Sequence, residues 1–227
     1  MAGLGFLLWL TASYLGYFAD LASQLVALGA SAVAPLGIAA SASEEYALPR
    51  LRAVATGFLS LAAPIALASF LFPRGPLPAA LALAWVLATI VSAVWALARV
   101  LRRGLSPIEE LAIDAGPLYL PIGALWLVAA RGAYEPLGFR EPVVTFTANH
   151  FHFAGFAAPV VAGLMGRAIG LRRHPGRPAE DMAGPRWRML ASVSIGVVIA
   201  GVPLVALGIR FSRALETPAA VLLGQRR

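Results

Sequence analysis

Long apolar stretches alternate with short polar, arginine-containing stretches along the whole chain. A helix that crosses the hydrocarbon core of a bilayer needs about 20 mostly apolar residues, because its backbone groups must find partners within the segment. Runs such as residues 77–97 lack the alternation of period two that is typical of a membrane β-barrel. The pattern therefore predicts an all-α protein, a polytopic transmembrane helical bundle of about seven helices, forming a single domain over residues 1–227.

The first apolar stretch, residues 4–40, is too long for one span and contains Asp20. It predicts an interfacial or half-membrane helix followed by a full span over residues 17–39. Further spans are predicted where apolar runs of sufficient length lie between turn-forming or basic residues, at 51–72, 77–100, 107–130, 143–170 and 189–209. The tail, residues 211–225, is short for a span and predicts a partial seventh helix.

Composition supports a membrane protein and excludes several kinds of chemistry. The chain is 59% apolar and 13% charged, whereas a soluble domain is about 25% charged. The absence of cysteine excludes disulfides, thiolate metal sites and thiol nucleophiles. All basic residues are arginine, which is typical of a high-GC bacterial genome and leaves no lysine for a Schiff base. The net charge of +7 is distributed between helices, so we expect no nucleic-acid partner.

The distribution of arginine predicts the orientation in the membrane. Loops after the first, third and fifth spans hold 11 arginines, and those after the second, fourth and sixth hold 5. Because cytoplasmic loops are enriched in basic residues, the first set is expected in the cytoplasm, together with the loop 171–187 and its His174. We therefore expect a multi-pass protein of the bacterial inner membrane, in contact with the lipid bilayer. The pattern leaves the oligomeric state open.

Polar residues are concentrated in the segment 145–156, inside a predicted span. An ionisable residue in a span is costly and is therefore a functional hypothesis. At the helical spacing, His150 and His152 lie about 200° apart, so they cannot bind one metal ion or one haem iron together. The third histidine lies in a loop. The sequence therefore predicts no metal site and no cofactor.

Carboxylates inside apolar stretches are candidate acids, whereas Glu109, Glu110 and Glu141 are expected at solvated interfaces. If spans 107–130 and 143–170 pack antiparallel, Tyr119 lies near the depth of His152. This geometry predicts a central pocket whose candidate catalytic residues are His150, His152, Asp114, Asn149, Tyr119, Asp20 and Glu216. The candidate substrate-binding residues are Trp126, Phe146, Phe153, Phe156 and Thr145.

A structural interpretation of the same residues stays open. Buried His, Asn and Thr side chains often form hydrogen bonds between membrane helices, each worth less than about 2 kcal/mol. Thr145, Thr147 and Asn149 fit this role well, and phenylalanines commonly face lipid or the core. Gly155 and Gly163 indicate close packing of helices.

Three short motifs carry a resemblance to a known family: YLPIGALW at 119–126, PLGF at 136–139 and TANHFHFAGF at 147–156. They resemble the YndJ-like family of bacterial membrane proteins, most clearly over residues 107–170. The resemblance implies a multi-pass protein, loosely labelled a transporter and without an established activity, and it marks the histidine segment. Longer members continue beyond the position of Glu216, so we expect this chain to lack such a C-terminal domain and to act as a self-sufficient unit.

Three functions are compatible with these features. The favoured one is an acid–base enzyme of cyclase or isomerase type that acts without a redox cofactor on a lipophilic substrate, such as a terpenoid or polyene. A buried carboxylic acid would protonate an alkene, and aromatic faces would stabilise the carbocation. The second is a small proton-coupled transporter, although seven helices are few and no inverted repeat is visible. The third is an accessory membrane subunit.

These functions predict different structures. An enzyme predicts an aromatic pocket that is reached from the lipid and faced by an acid. A carrier predicts a water path to both sides of the membrane, and an accessory subunit predicts a broad contact face without a cavity.

Overall fold

Seven helices, and no strand, make up the described part of the chain. The computed structural model describes residues 2–42, 48–169 and 185–222, with side chains of the last helix described as far as Gly208. We number the helices α1 (Ala2–Tyr14), α2 (Leu21–Ala40), α3 (Pro49–Ala68), α4 (Pro76–Arg103), α5 (Ile108–Gly132), α6 (residues 143–168) and α7 (Pro185–Leu222). The predicted all-α bundle is confirmed.

Five of the described helices are long and apolar enough to cross a membrane: α2, α3 with its 3₁₀ extension to Leu71, α4, α5 and the Arg186–Gly208 part of α7. The short apolar helix α1 precedes α2, as predicted for the first stretch. Helix α6 was predicted as a span but is not one of these five. The tail predicted as a separate partial helix is a continuation of α7 as far as Leu222, and its side chains lie outside the described residues.

Local chemistry explains where several helices begin and end. The carboxylate of Asp20 caps α2 by accepting a hydrogen bond of 2.7 Å from the backbone N–H of Ser23. Helices α3 and α4 begin at Pro49 and Pro76, in the first turn where proline needs no hydrogen-bond donor. Helix α4 ends at Gly104, whose φ of 83° is a conformation that favours glycine.

Helices α5 and α6 pack antiparallel, as the sequence suggested. A Cβ built on Gly116 would contact Phe156, whereas one built on Gly123, two turns later in α5, would contact His152. Later residues of α5 therefore pack against earlier residues of α6, so the two helices run in opposite directions. Small residues allow membrane helices to approach closely, and these glycines bring the two backbones together along the axis of the bundle.

Two π-helical segments face each other across the interior: Gly29–Val33 in α2 and Phe151–Ala157 in α6. A Cβ on Gly29 would lie 2.9 Å from Cβ of His152, so the first residue of one segment packs directly on the other. Single-turn π segments inside α-helices are frequent at functional sites. Here they lie where the polar residues of α6 enter the core.

Candidate functional site

The two histidines of α6 have different surroundings although only one residue separates them. His150 ends the α-helical part of α6, and His152 lies in the π-helical part. The side chain of His152 is fully buried, whereas that of His150 is half-buried. The two rings therefore belong to two places in the molecule, an interior slot and a lateral cleft.

His152 fills the interior slot. Trp85 of α4 donates its indole N–H to Nε2 at 3.0 Å, and Nδ1 lies 2.8 Å from the carbonyl oxygen of Ala148. An indole N–H only donates and a carbonyl only accepts, so the ring is neutral with its proton on Nδ1. Gly29 and Gly123 close the slot, since a Cβ on either would lie 2.9 Å from an atom of His152. With both nitrogens bonded and the ring enclosed, His152 has no access to a substrate.

The lateral cleft has a volume of about 700 Å³ and lies between α5, α6, α7 and the loop before α6. Small-molecule sites commonly have volumes of about 300–1,000 Å³. Nine of its lining residues are apolar and two are polar: Ile122, Trp126, Leu137, Phe139, Val143, Phe146, Phe151, Ala206 and Leu207, with Thr147 and His150. Leu137, Phe146 and Leu207 are each more than half exposed. The cleft is therefore open at the surface of the helix bundle, with apolar side chains at its margin.

Polar atoms in the cleft come from α6 and from one indole. Thr147 and His150 lie one turn apart and share a face of the helix. The Nε2 atom of His150 is 3.3 Å from the carbonyl oxygen of Val202 in α7, and the Thr147 hydroxyl donates to the Val143 carbonyl at 2.8 Å. Trp126 adds an indole N–H. No described lining residue is a carboxylate or an arginine, so the cleft offers an imidazole and neutral hydrogen-bonding groups.

The other end of the α5–α6 pair is closed by a buried charge network, which we define as Arg99, Arg103, Glu110, Asp114 and Arg167. The two carboxylate oxygens of Asp114 lie 2.9 Å from Arg99 and 2.7 Å from Arg103, and the Arg99 contact has the distance of an ion pair without hydrogen-bond alignment. Glu110 lies 2.6 Å from Arg167 and 2.5 Å from Arg99. The network therefore ties α4, α5 and α6 together.

This network separates Asp114 from the histidines. Its side chain is fully buried and contacts two guanidinium groups, whereas the Gly123 backbone of the same helix marks the level of His152. The structure thus does not bring Asp114 into a central pocket, because its charge is already paired. Glu109 and Glu110 were expected at a solvated interface, but both side chains are buried.

Three other predicted polar residues make structural contacts, two of them at the start of α2 and one with the loop before α6. The side-chain amide of Asn149 donates to the Ala22 carbonyl at 2.9 Å, and the Thr145 hydroxyl donates to Glu141 at 2.9 Å. Asp20 is exposed and caps α2. The Oδ1 atom of Asn149 is buried and has no hydrogen-bond partner among the described residues. None of the three predicted residues lines the cleft.

The predicted aromatic residues divide between the cleft and the core. Trp126 and Phe146 line the cleft. Phe156 is fully buried, with its ring against Gly37 and Gly116, and Phe153 is half-buried outside the cleft lining.

Two further candidates fall elsewhere. Tyr119 donates its hydroxyl to the Ile199 carbonyl of α7 at 3.1 Å and its ring lies 6.5 Å from that of Phe151. The side chain of Glu216 lies outside the described residues, as does His174. The residues predicted to form one pocket are therefore distributed over the cleft, the slot, the charge network and the region around the start of α2.

Trp85 was not named in the sequence analysis, and the arginines of the charge network were used there only to predict the orientation in the membrane. A signal for the network exists, because Arg99 and Arg103, and likewise Glu110 and Asp114, are spaced four residues apart on consecutive helices. That spacing places each pair on one helix face. Trp85 has no such signal, since its partner is 67 residues away along the chain.

Metal binding finds no support in the side-chain arrangement. Across residues 2–42, 48–169 and the described part of α7, no group of three or more His, Asp or Glu residues is arranged to hold a metal ion. The described arrangement can enclose an apolar molecule, form neutral hydrogen bonds with it and exchange a proton with it through His150.

Comparison with known proteins identifies the family. The model of the family described as YndJ-like protein matches residues 24–224. A protein of Bacillus subtilis (strain 168), named uncharacterized membrane protein YndJ, is 32% identical over 135 residues, which are 60% of this chain and 22% of that relative. The match thus spans about a fifth of the relative's length. No solved structure matches the chain.

Proposed function

The chain belongs to the YndJ-like family of bacterial membrane proteins, and we propose that this member binds a lipophilic molecule in the lateral cleft, with His150 as the polar group that contacts it. The observation that carries the proposal is the cleft itself, a space of about 700 Å³ whose described lining is apolar except for Thr147 and His150. Apolar pockets with a few convergent polar groups are the usual form of a small-molecule site.

The position of the cleft supports a ligand that arrives from the membrane. Phe146 and Leu207, on two different helices, are more than half exposed at its margin. In a membrane protein such exposed apolar side chains face lipid acyl chains. A lipophilic molecule would therefore enter sideways from the bilayer, without crossing a charged entrance.

The site favours binding, with or without a proton transfer, over the acid-initiated cyclisation considered from the sequence. A cyclase of that type needs a carboxylic acid at its substrate, and Asp114 instead contacts Arg99 and Arg103. An isomerase that moves one proton needs a single base in contact with its substrate, and His150 fits that requirement. The isomerase is therefore the enzymatic form of the proposal, with His150 as its catalytic residue.

The experiment fills the cleft with a large side chain and measures which lipophilic molecules co-purify with the protein. Ala206 lines the cleft, whereas its neighbour Val205 is half exposed on the same helix. We expect Ala206→Trp to lose a lipophilic molecule that co-purifies with the wild type in mild detergent, and Val205→Trp to keep it. Mass spectrometry of organic extracts provides the measurement. Identical extracts from the two variants and the wild type would overturn the proposal.

A second measurement separates binding from catalysis. In cells supplied with isoprenoid precursors, an isomer that accumulates with the wild type and disappears with His150→Phe would establish the isomerase. If His150→Phe is folded and the lipid profile is unchanged, the isomerase form is wrong and the chain is a binding protein.

A further inference from the structure

We propose that the molecule bound in the lateral cleft is a lipophilic alcohol, whose hydroxyl group donates a hydrogen bond to Nδ1 of His150. The inference rests on the proposed function and names the ligand class of the same site. It is carried by the direction of the hydrogen bonds that the cleft residues already make.

The contact between His150 and α7 fixes which ring nitrogen carries the proton. Nε2 lies 3.3 Å from the carbonyl oxygen of Val202, and a carbonyl oxygen can only accept. Nε2 must therefore donate its hydrogen. The neutral form of the imidazole carries only this one hydrogen. Nδ1 is thus a lone-pair acceptor, and no described residue donates to it.

Thr147, one turn away on α6, also offers a hydrogen-bond acceptor. Its hydroxyl hydrogen is directed to the Val143 carbonyl, at 2.8 Å, so its oxygen offers only lone pairs to an occupant. Trp126 of α5 also lines the cleft, and its indole has an N–H donor and no acceptor. The cleft therefore combines two acceptors on α6 with one donor on α5.

A hydroxyl group matches this set because it both donates and accepts. A ketone, an aldehyde or an ether can only accept, so it would satisfy Trp126 and leave the acceptors of His150 and Thr147 unpaired. Phosphate and carboxylate groups bring negative charge, and the described lining residues include no arginine to pair with it. Buried charge without a partner is costly. The chemistry of the lining therefore selects a neutral lipophile that carries a hydroxyl.

The test compares two probes that differ only at the polar group. Tritiated geranylgeraniol is bound to the detergent-solubilised protein at equilibrium and displaced with unlabelled geranylgeraniol or with its methyl ether. The ether keeps the chain and the acceptor oxygen but has no donor. We expect the alcohol to bind about fivefold more tightly than the ether, the size of one net hydrogen bond.

Two substitutions at one position assign the preference to His150. His150→Phe keeps a flat ring but removes the acceptor, and we expect alcohol and ether to bind this variant equally. His150→Gln restores an acceptor oxygen and should restore the preference. Ratios within each variant are compared, so a general loss of affinity from altered packing cancels.

The outcomes separate this inference from the function on which it rests. If alcohol and ether bind the wild type equally and neither binds the Ala206→Trp variant, the alcohol assignment is overturned but the proposed lipophile site is kept. A preference that persists in His150→Phe also overturns the assignment. If neither probe binds the wild type above the level of Ala206→Trp, the isoprenoid site fails and the alcohol assignment fails with it.

Discussion

The two ends of the α5–α6 pair are built from different contacts. At the arginine-rich end, the carboxylates of Glu110 and Asp114 on α5 lie between guanidinium groups from α4 and α6, and all of these side chains are at most 22% exposed. At the opposite end lies the cleft, which is lined almost entirely by apolar side chains. The closed end has buried charge without a cavity, whereas the cleft is a cavity whose described lining carries no carboxylate and no arginine.

This difference assigns separate roles to residues that the sequence grouped together. A catalytic acid must touch its substrate, and Asp114 touches arginines instead. His152, midway along the pair, belongs with the closed part because Trp85 and the glycines enclose it. His150 is the titratable residue that the described cleft lining contains. The closed part therefore holds the helices in register, and the open part is where a ligand would bind.

The largest expected effect tests the closed end. Replacing Asp114 with Asn leaves Arg99 and Arg103 with an unbalanced buried charge, which should lower the free energy of unfolding by about 3–5 kcal/mol. The matched control is Glu135→Gln, at the exposed Glu135–Arg140 pair of the open end, where about 0–1 kcal/mol is expected. Denaturant-induced unfolding in detergent gives both values. Equal, small losses would contradict a structural role for the network and return Asp114 to the candidate acids.

An intermediate effect tests the close packing around Gly123, midway along the α5–α6 pair. A methyl group at Gly123 would lie 2.9 Å from both His152 and Phe151, so Gly123→Ala should destabilise the protein by about 1–3 kcal/mol through overpacking. Gly57 of α3 has no heavy atom within 4 Å of such a methyl group. Gly57→Ala should therefore be neutral or stabilising by up to about 1 kcal/mol. Thermal unfolding of the two variants makes the comparison, and a stabilised Gly123→Ala protein would contradict the tight slot.

The smallest effect compares the two histidines directly. A double-mutant cycle of Trp85→Phe with His152→Phe should show a coupling of about 0.5–1.5 kcal/mol, the net value of one hydrogen bond. The cycle of Trp85→Phe with His150→Phe should show none, because His150 bonds the Val202 carbonyl in α7 instead. Unfolding free energies of the single and double variants provide the measurement. A coupling between Trp85 and His150 of the same size would show that the slot and the cleft are not independent.

Much of the fold was predictable because it depends on local pattern. Apolar runs bounded by prolines, glycines and arginines define α2 to α5 and α7, since each helix satisfies its own backbone in lipid. The antiparallel packing of α5 and α6, which the sequence analysis took as a condition, is also present. Two details differ: α6 was predicted as a span but is not among the five described helices long and apolar enough to cross a membrane, and the predicted partial helix of the tail is a continuation of α7.

The candidate site was less predictable because depth and direction depend on neighbouring helices. A regular helix places His150 and His152 on opposite sides, but it does not say which one meets Trp85 and which one meets an open space. Asp114 and Tyr119 share a helix with Trp126, yet only Trp126 lines the cleft.

By itself, the sequence determined that this protein is a multi-pass helical membrane protein with its polar residues concentrated in α6, because hydrophobic length and the cost of unpaired backbone in lipid act within each segment. Only the tertiary structure decided which polar residues form contacts between helices and which line the cleft. Arg99 and Asp114, or Trp85 and His152, become partners only when separate helices meet. The cleft exists for the same reason, since it is formed between residues of α5, α6, α7 and the loop before α6, and no side chain of the described residues fills it.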